Sequence, residues 1–292
     1  MSAICSGRTV IITGAGGGLG RAYALGFAAA GAQVVVNDIR LDAARAVAGE
    51  VEAAGGRAIA DDGDITTLAG AQRIVDAALA AFGEVHVLVN NAGILRDKMF
   101  VSLTEDDWDQ VMRVHLKGHY CLANVLARRW RDAAKAGRKL DARIINTSSG
   151  AGLQGSIGQS NYSAAKAGIA GLTLVQAAEL ARYGITVNCL APAARTAMTE
   201  GAMPEMVKKP ASGFDVWDPM NVASIVVWLG SSLSGHVSGR CFEAKGGELS
   251  IADGWRTGTI IDKGARWDPA ELGPVVDRLI AGSVPPQKVY GS

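Results

Sequence analysis

The sequence predicts an α/β fold: one doubly wound parallel sheet of seven strands with helices on both faces. Short runs of β-branched and apolar residues alternate with Ala-rich segments of helical character along the 292-residue chain, which is typical of βαβ units. No linker, composition break or internal repeat interrupts this alternation. We therefore expect a single domain over residues 1–250 and a C-terminal extension over residues 251–292.

The predicted strands share a short core of Val, Ile, Thr or other apolar residues, and they lie at 9–12, 34–38, 58–60, 85–89, 143–147, 185–190 and 239–243. The predicted helices lie at 21–30, 41–54, 68–82, 104 to beyond 130, 163–182, 222–229 and 271–280. Thr104 is a residue type that can act as the N-cap of the long helix, with Asp107 at the third helical position. Gly118 is expected to weaken the middle of that helix. Residues 191–219 have no period, which predicts a loop or lid with short helices.

Charge and composition exclude several classes of protein. The 29 basic residues nearly balance 28 acidic ones, for a net charge of +1, so no basic surface for nucleic acid is expected. No apolar run approaches the roughly 18 residues that a membrane span needs, and residues 1–7 lack a signal pattern. We expect a cytoplasmic protein whose scattered cysteines are reduced; they are Cys5, Cys121, Cys189 and Cys241.

His115 and His119 are four residues apart, which is a spacing that metal pairs use. No carboxylate motif accompanies them, so no metal site is predicted.

A glycine-rich turn joins the first predicted strand to its helix, with Gly14, Gly18 and Gly20 as its glycines. Backbone N–H groups at a helix N-terminus stabilise anions, and glycine lets a pyrophosphate approach closely. The spacing differs from the common dinucleotide fingerprint, whose first two glycines are two residues apart. The strand–turn–helix–strand context nevertheless favours a Rossmann fold that binds a dinucleotide over a tight turn without a ligand.

Asp38 ends the second predicted strand, 18 residues after Gly20. A carboxylate there can accept hydrogen bonds from an adenosine ribose and would repel a 2′-phosphate, which favours NAD over NADP. Arg21 and Arg40 are the counterargument, because either side chain could bind that phosphate.

Tyr162 and Lys166 are four residues apart, a spacing that on a helix places both side chains on one face. A nearby ammonium favours the phenolate and lowers the pKa of a tyrosine. The pair is therefore a candidate general acid/base with its activator beside it. The alternative is a chance pairing on a surface helix.

Four motifs occur in one order along the chain: Thr13-Gly14 with Gly18-Leu19-Gly20, then Asn90-Asn91-Ala92-Gly93, then Ser149, then Tyr162 with Lys166. Together they resemble the short-chain dehydrogenase/reductase family over residues 7–247. Longer stretches at 90–97, 106–109, 113–118 and 158–166 are similar to one branch of it. This branch is the (3R)-hydroxyacyl-CoA dehydrogenase module of peroxisomal multifunctional enzymes, also described as a 17β-hydroxysteroid dehydrogenase.

The resemblance implies a role for each matching position. Tyr162 is expected to be the proton donor and acceptor, and Ser149 is expected to hydrogen-bond the substrate oxygen. Lys166 is expected to lower the tyrosine pKa and to hold the nicotinamide ribose. Further cofactor contacts are implied for Leu19, Asp64, Ile65, Asn91, Ala92, Gly93 and Thr196, the last on spacing that is one residue short.

Two positions depart from the family pattern. His115 stands where the family often has an asparagine that completes a proton relay to the lysine. A histidine there is either a relay member or a packed helix residue. Pro192-Ala193 replaces the usual Pro-Gly after the sixth strand.

The implied reaction is NAD-dependent interconversion of a secondary alcohol and a ketone by hydride transfer, with a homodimer or homotetramer as the assembly. The apolar composition of residues 191–219 suits a 3-hydroxyacyl-CoA or hydroxysteroid, or merely covers the core; its large apolar residues are Met198, Met203, Met206, Phe214 and Trp217. The alternatives are an NADPH-dependent 3-oxoacyl-thioester reductase and a non-catalytic dinucleotide-binding regulator.

Overall fold

A computed structural model describes residues 3–202, 204–252 and 254–292 of the chain, so Met203 of the predicted substrate loop lies outside the described residues. The predicted α/β fold is confirmed. Its strands are β1 (Thr9–Thr13), β2 (Gln33–Asn37), β3 (Arg57–Asp61), β4 (Val87–Asn90), β5 (Ala142–Thr147), β6 (Ile185–Ala193), β7 (Cys241–Lys245) and β8 (Glu248–Ala252).

Helices connect these strands and cover both faces of the sheet. The α-helices are α1 (Gly18–Ala29), α2 (Leu41–Ala53), α3 (Leu68–Phe82), α4 (Glu105–Met112), α5 (Gly118–Lys135), α6 (Gly150–Gln154), α7 (Ser160–Leu180), α8 (Ala197–Ala202), α9 (Pro219–Gly230) and α10 (Leu272–Ala281). No helix in the described part of the chain combines the length and the apolarity that a bilayer-spanning segment needs.

The strands form one sheet in the order β3-β2-β1-β4-β5-β6-β7-β8. All neighbours pair in parallel except β7 and β8, which form an antiparallel hairpin. The prediction of seven strands is therefore wrong by one. The eighth follows a two-residue Gly246-Gly247 turn with Gly246 at φ +55°, and such a turn favours a hairpin.

Two apolar layers enclose the sheet. One packs α1, α2 and α9 against one face, with Tyr23 and Phe27 fully buried, and the other packs α3, α5 and α7 against the opposite face. Because both faces are covered, the central strands are apolar throughout rather than alternating. Polar side chains at the strand ends are therefore concentrated at the carboxyl edge of the sheet, where open α/β folds bind ligands.

The long predicted helix is divided into two α-helices by a π-helical turn over Arg113–Lys117. Its beginning is as predicted, because Thr104 and Asp107 form a reciprocal capping box. Gly118 follows the π turn, and a Cβ there would lie 2.8 Å from the Ile65 side chain. Single π turns occur frequently at functional sites, and this one contains His115.

Candidate active site

The glycine turn between β1 and α1 is shaped by contacts that exclude side chains. Gly14 and Gly18 have φ values of +62° and +51°, which L-residues rarely adopt. A Cβ at Gly14 would lie 2.7 Å from the Ala92 Cα, and one at Gly20 would overlap the Gly14 carbonyl oxygen. The backbone of the turn is therefore packed closely against the segment that follows β4, as is expected of a phosphate-binding turn. We call residues 14–20 the glycine cradle.

Asn91 holds that segment to the turn. Its side-chain amide donates to the carbonyl oxygens of Thr13 at 3.0 Å and Gly14 at 3.3 Å. The Thr13 hydroxyl in return accepts from the backbone N–H groups of Asn91 and Ala92 at 3.0 and 3.1 Å. The structure gives Asn91 a role in fixing the cradle. Thr13, which sequence reasoning quoted without a role, is its reciprocal partner.

Asp38 also binds the turn. One carboxylate oxygen accepts from Gly16 N at 3.1 Å and the other accepts from Arg40 N at 3.0 Å. The side chain is only 10% exposed, and the Arg40 Nε lies 3.4 Å away. The carboxylate thus stands at the carboxyl end of β2, beside the cradle.

The other predicted cofactor positions surround the same edge of the sheet. Asp64 accepts from Thr66 N at 2.8 Å, and Ile65 is buried against Gly118. Leu19 packs partly buried against the core. Thr196 lies over the turn, since a Cβ built on Gly18 would be 3.4 Å from its methyl group.

The cradle fits a nicotinamide dinucleotide. No side chain caps the first N–H groups of α1, whose N-cap is Gly17, and a Cβ built on Gly17 would meet no atom of the described residues within 4 Å. N–H groups at a helix N-terminus are suited to a pyrophosphate. Asp38 would be the residue to bind a ribose of the dinucleotide.

Ser149 and Tyr162 meet across the α6–α7 junction. Ser149 is the N-cap of α6, and its hydroxyl oxygen accepts from Ala151 N at 3.2 Å. α6 packs directly on α7 because Gly152 has no side chain; a Cβ there would lie 2.6 Å from Lys166. This close packing places Ser149 near Tyr162, where its hydroxyl acts to lower the pKa of the phenol.

Asn161 anchors the start of α7, and sequence reasoning missed it. It is fully buried, and its amide donates to the carbonyl oxygens of Arg96 at 3.1 Å and Asp107 at 3.2 Å. Its side-chain oxygen accepts from the backbone N–H of Tyr162 at 2.8 Å. Tyr162 is therefore positioned by contacts to the segment after β4 and to α4, as well as by its own helix.

Lys166 is buried one turn further along α7. Its ammonium donates to the Thr147 carbonyl oxygen at 2.6 Å and lies 5.6 Å from the centroid of the Tyr162 ring. Ser148 adds a second tie between β5 and α7, since its hydroxyl donates to the Lys166 carbonyl oxygen at 2.8 Å. Neither Thr147 nor Ser148 was predicted, because the first acts through its backbone carbonyl oxygen and the second lies in no recognised motif.

Burial dominates the ionisation of the pair. It lowers the pKa of Lys166 to about 7. Burial also raises the pKa of Tyr162, against the opposing hydrogen bond with Ser149. The direction for Tyr162 differs from the sequence-based expectation, because burial penalises the phenolate of the tyrosine itself and the Asp97 carboxylate adds to this effect.

His115 lies against Tyr162. Its ring meets the Tyr162 ring edge-on, with centroids 5.2 Å apart at 90°, and its Nε2 lies 2.8 Å from the Ile94 carbonyl oxygen. Burial lowers the pKa of His115 to about 3, and Lys166 adds to this effect. The imidazole is thus neutral at physiological pH, and its role in a proton relay stays a prediction.

The absence of a side chain at Gly93 leaves room for the His115 imidazole. A Cβ on Gly93 would overlap the Cε1 atom of His115 and lie 3.0 Å from its Nδ1. Nδ1 is buried and has no hydrogen-bond partner among the described residues. His119, one turn away, instead accepts from Thr147 N at 3.3 Å through Nε2. The two histidines therefore serve different partners.

Comparison with known proteins agrees with this geometry. The short chain dehydrogenase family model matches residues 8–207. The chain belongs to this family, and it is an oxidoreductase that acts on CH–OH groups and binds a nicotinamide dinucleotide. The predicted family is confirmed.

Individual relatives are similar over most of the chain. The hydroxyacyl-CoA dehydrogenase ChsB1 of Mycobacterium tuberculosis is 42% identical over 97% of this chain and 91% of its own length. The peroxisomal multifunctional enzyme type 2 of Mus musculus is 41% identical over 85% of this chain, which spans only 32% of that enzyme. A crystal structure of a short chain dehydrogenase from Mycobacterium avium is 52% identical with a TM-score of 0.91, covering 99% of this chain and 100% of that one.

Proposed function

We propose that this protein is an NAD-dependent dehydrogenase for a 3-hydroxyacyl-CoA, with a hydroxysteroid as the second candidate substrate. The observation that carries the proposal is the convergence of Ser149, Tyr162 and Lys166 at the carboxyl edge of the sheet, next to the glycine cradle. The hydroxyacyl-CoA name of a relative that matches nearly the whole chain supports the thioester.

The catalytic residues divide the work on the substrate hydroxyl. The Ser149 oxygen accepts from Ala151 N, and its hydroxyl would donate to the substrate oxygen once a substrate is bound. Tyr162, as the phenolate, accepts the hydroxyl proton, and as the phenol it returns a proton in the reverse reaction. The nicotinamide, when bound, supplies the hydride chemistry.

Lys166 assists Tyr162 both in accepting a proton and in returning one. Its bond to the Thr147 carbonyl oxygen fixes the ammonium beside the tyrosine ring. Protonated Lys166 favours the phenolate of Tyr162, and neutral Lys166 can take up a proton that the tyrosine releases. A lysine whose pKa lies at about 7 is suited to this exchange near neutral pH.

The surroundings of Asp38 support NAD over NADP. A buried carboxylate at the end of β2 repels a 2′-phosphate. Both candidate phosphate-binding arginines are already engaged by carboxylates: Arg21 with Glu50, its Nε 2.9 Å from Oε1, and Arg40 with Asp38 itself. An Asp38→Ser variant should gain about tenfold in kcat/KM with NADP while losing efficiency with NAD.

The segment between β6 and α9 supports an apolar substrate. Arg195 clamps it by donating to the Val207 carbonyl oxygen at 2.9 Å and pairing with Asp215. Within this clamp Met206 and Phe214 remain 59% and 64% exposed. Exposed, adaptable apolar side chains next to a catalytic edge suit an acyl chain or a sterol.

A substrate panel tests the proposal. Oxidation of 3-hydroxyacyl-CoA thioesters, hydroxysteroids and short polyols would be measured with NAD and with NADP. We expect the thioesters and NAD to give the highest kcat/KM. Turnover of polyols alone would reject the lipid substrate, a preference for NADPH would point to a 3-oxoacyl-thioester reductase, and NADH binding without any turnover would point to a regulator.

We further propose a cytoplasmic homodimer or homotetramer. Leu174 and Val175 on α7 are 58% and 54% exposed, which supports a helix face covered by a second copy. Free thiols at all four cysteines support a reducing compartment. Light scattering and cell fractionation test the two statements; a monomer across micromolar concentrations, or recovery with organelles, would contradict them.

A further inference from the structure

The last residues of the chain dock beside the catalytic serine. Tyr290 N donates to the Gly155 carbonyl oxygen at 3.1 Å, and Ile157 N donates to the Tyr290 carbonyl oxygen at 2.9 Å. These two bonds form a parallel bridge between Tyr290 and the loop that follows α6. The tail therefore adds a short strand-like edge to the segment between Ser149 and Tyr162.

The Tyr290 side chain reinforces this docking. Its hydroxyl oxygen accepts from the Gln154 side-chain amide at 2.8 Å. The ring packs on Gly150, the residue after Ser149, so closely that a Cβ there would lie 2.6 Å from the Tyr290 hydroxyl. Burial and the nearby Glu243 carboxylate raise the pKa of Tyr290, so the hydroxyl stays neutral and able to donate.

The same loop is tied on its other side to the segment after β4. Lys98 N donates to the Gly158 carbonyl oxygen at 2.9 Å, and the Gln159 amide donates to Asp97 at 2.7 Å. The tail, the loop and the Asp97-Lys98 segment thus form one continuous rim. This rim adjoins Ser149 and Tyr162.

Tyr290 also lies at the carboxyl edge of the sheet. It contacts Gly150 at the start of α6, three residues after the end of β5. The Glu243 carboxylate on β7 contributes to the raised pKa of its hydroxyl. The tyrosine is thus located beside the carboxyl end of β5, on the side where a ligand enters an open α/β sheet.

We propose that Tyr290 is a specificity-determining residue: the docked tail forms one wall of the substrate site and contacts the part of the substrate that extends away from the reacting hydroxyl. This inference rests on the proposed function for the substrate class. The half-exposed ring offers apolar area with a polar tip, a combination suited to a long acyl chain and its thioester.

Steady-state kinetics with substrates of two acyl-chain lengths test whether Tyr290 forms a wall of the substrate site. Tyr290→Ala should raise the KM for a long-chain 3-oxoacyl-CoA about tenfold, because an aromatic contact is lost, while kcat and KM for acetoacetyl-CoA stay at wild-type values. Tyr290→Phe, which keeps the ring, should shift the long-chain KM much less. Val284→Ala, at a tail position that is 91% exposed, is the matched control.

Two kinetic results would overturn the proposal. Unchanged KM values for both substrates in Tyr290→Ala would show that the tail touches no substrate. An equal loss of kcat on both would show that the tyrosine only supports α6.

Limited proteolysis with trypsin tests whether the C-terminal residues are docked, and it does not depend on enzymatic activity. Cleavage after Lys288 releases residues 289–292, and wild type should resist it because Tyr290 is bonded on both sides. Gly150→Ala, which adds a methyl against the Tyr290 hydroxyl, should accelerate this cleavage about tenfold through local opening. Gly49→Ala is the control, since open space surrounds that glycine.

Equal release of residues 289–292 from wild type and Gly150→Ala would reject the docked tail. A wild-type protein that reduces no acyl-CoA would instead reject the proposed function, and the trypsin assay would still decide the position of the tail.

Discussion

The Lys166 ammonium lies 5.6 Å from the centroid of the Tyr162 ring and donates its hydrogen bond to the Thr147 carbonyl oxygen rather than to the tyrosine. The Lys166 ammonium is thus close to Tyr162 without a hydrogen bond to it. The Thr147 carbonyl oxygen, at the end of β5, sets the position of the lysine. Because both groups are buried, their protonation states depend on each other and on what else enters the site.

Tyr162→Phe should lower kcat by at least about 100-fold, because proton transfer by a positioned group contributes roughly that much or more. NADH binding should survive, since the glycine cradle is separate from the phenol. Steady-state kinetics and NADH fluorescence titration measure the two effects. The control is Tyr183→Phe, a tyrosine beyond α7 that stacks with Arg182; activity above about 1% of wild type in Tyr162→Phe would count against the assigned role.

Lys166 should make stability depend on pH. Its pKa is about 7 in the folded protein and returns to about 10.4 in the unfolded chain. Between these values the unfolded chain binds a proton that the folded chain does not, so the free energy of unfolding rises from pH 7 to about pH 10 and is lost as the pH falls back.

Thermal unfolding at pH 7 and pH 9 measures this dependence. Lys166→Met should show a smaller rise in Tm between the two pH values than wild type. Lys135→Met, at an exposed position in the last turn of α5, should behave as wild type. Identical Tm differences in all three proteins would show that Lys166 keeps its proton in the folded state.

Gly14→Ala should destabilise the protein and weaken NADH binding. The left-handed conformation alone costs an alanine about 1–2 kcal/mol, and the added methyl would press on the Ala92 backbone. Gly49→Ala, within α2 and free of contacts, should instead stabilise the protein by about 0.5–1 kcal/mol. Urea unfolding compares the two; equal free energies of unfolding would contradict the strained turn.

Gly93 and His115 should be coupled. Gly93→Ala places a methyl against the imidazole and should lower kcat/KM by displacing the ring that packs on Tyr162. His115→Ala removes the clash, so the double variant should be less impaired than the sum of the two single variants. A double-mutant cycle on stability should give a coupling energy of about 1 kcal/mol or more; strictly additive effects would mean that the two residues do not touch.

Motif spacing predicted Gly14, Tyr162 and Lys166, and the family resemblance added Ser149. Each of these residues meets a backbone or chemical requirement that few residue types can meet, so they are visible in sequence. The β8 hairpin was also readable in principle, since a Gly-Gly turn precedes an alternating strand, but no eighth strand was predicted.

The positioning residues were not readable in this way. Asn161 donates hydrogen bonds from its side-chain amide, and Thr147 accepts one at its backbone carbonyl oxygen. Their partners lie far away in the chain, and no local sequence pattern identifies a partner at that distance. Tyr290 is a stronger case, because it meets Gln154 across 136 positions of sequence.

By itself, then, the sequence determined the α/β alternation and the dinucleotide family, and it predicted the acid/base pair, because each depends on local spacing and residue type. Tertiary structure alone decided how those groups ionise and what surrounds them. Burial lowers the pKa of Lys166 and raises that of Tyr162. Desolvation depends on every element packed around a group, and that environment exists only once α6, α7 and the sheet have come together.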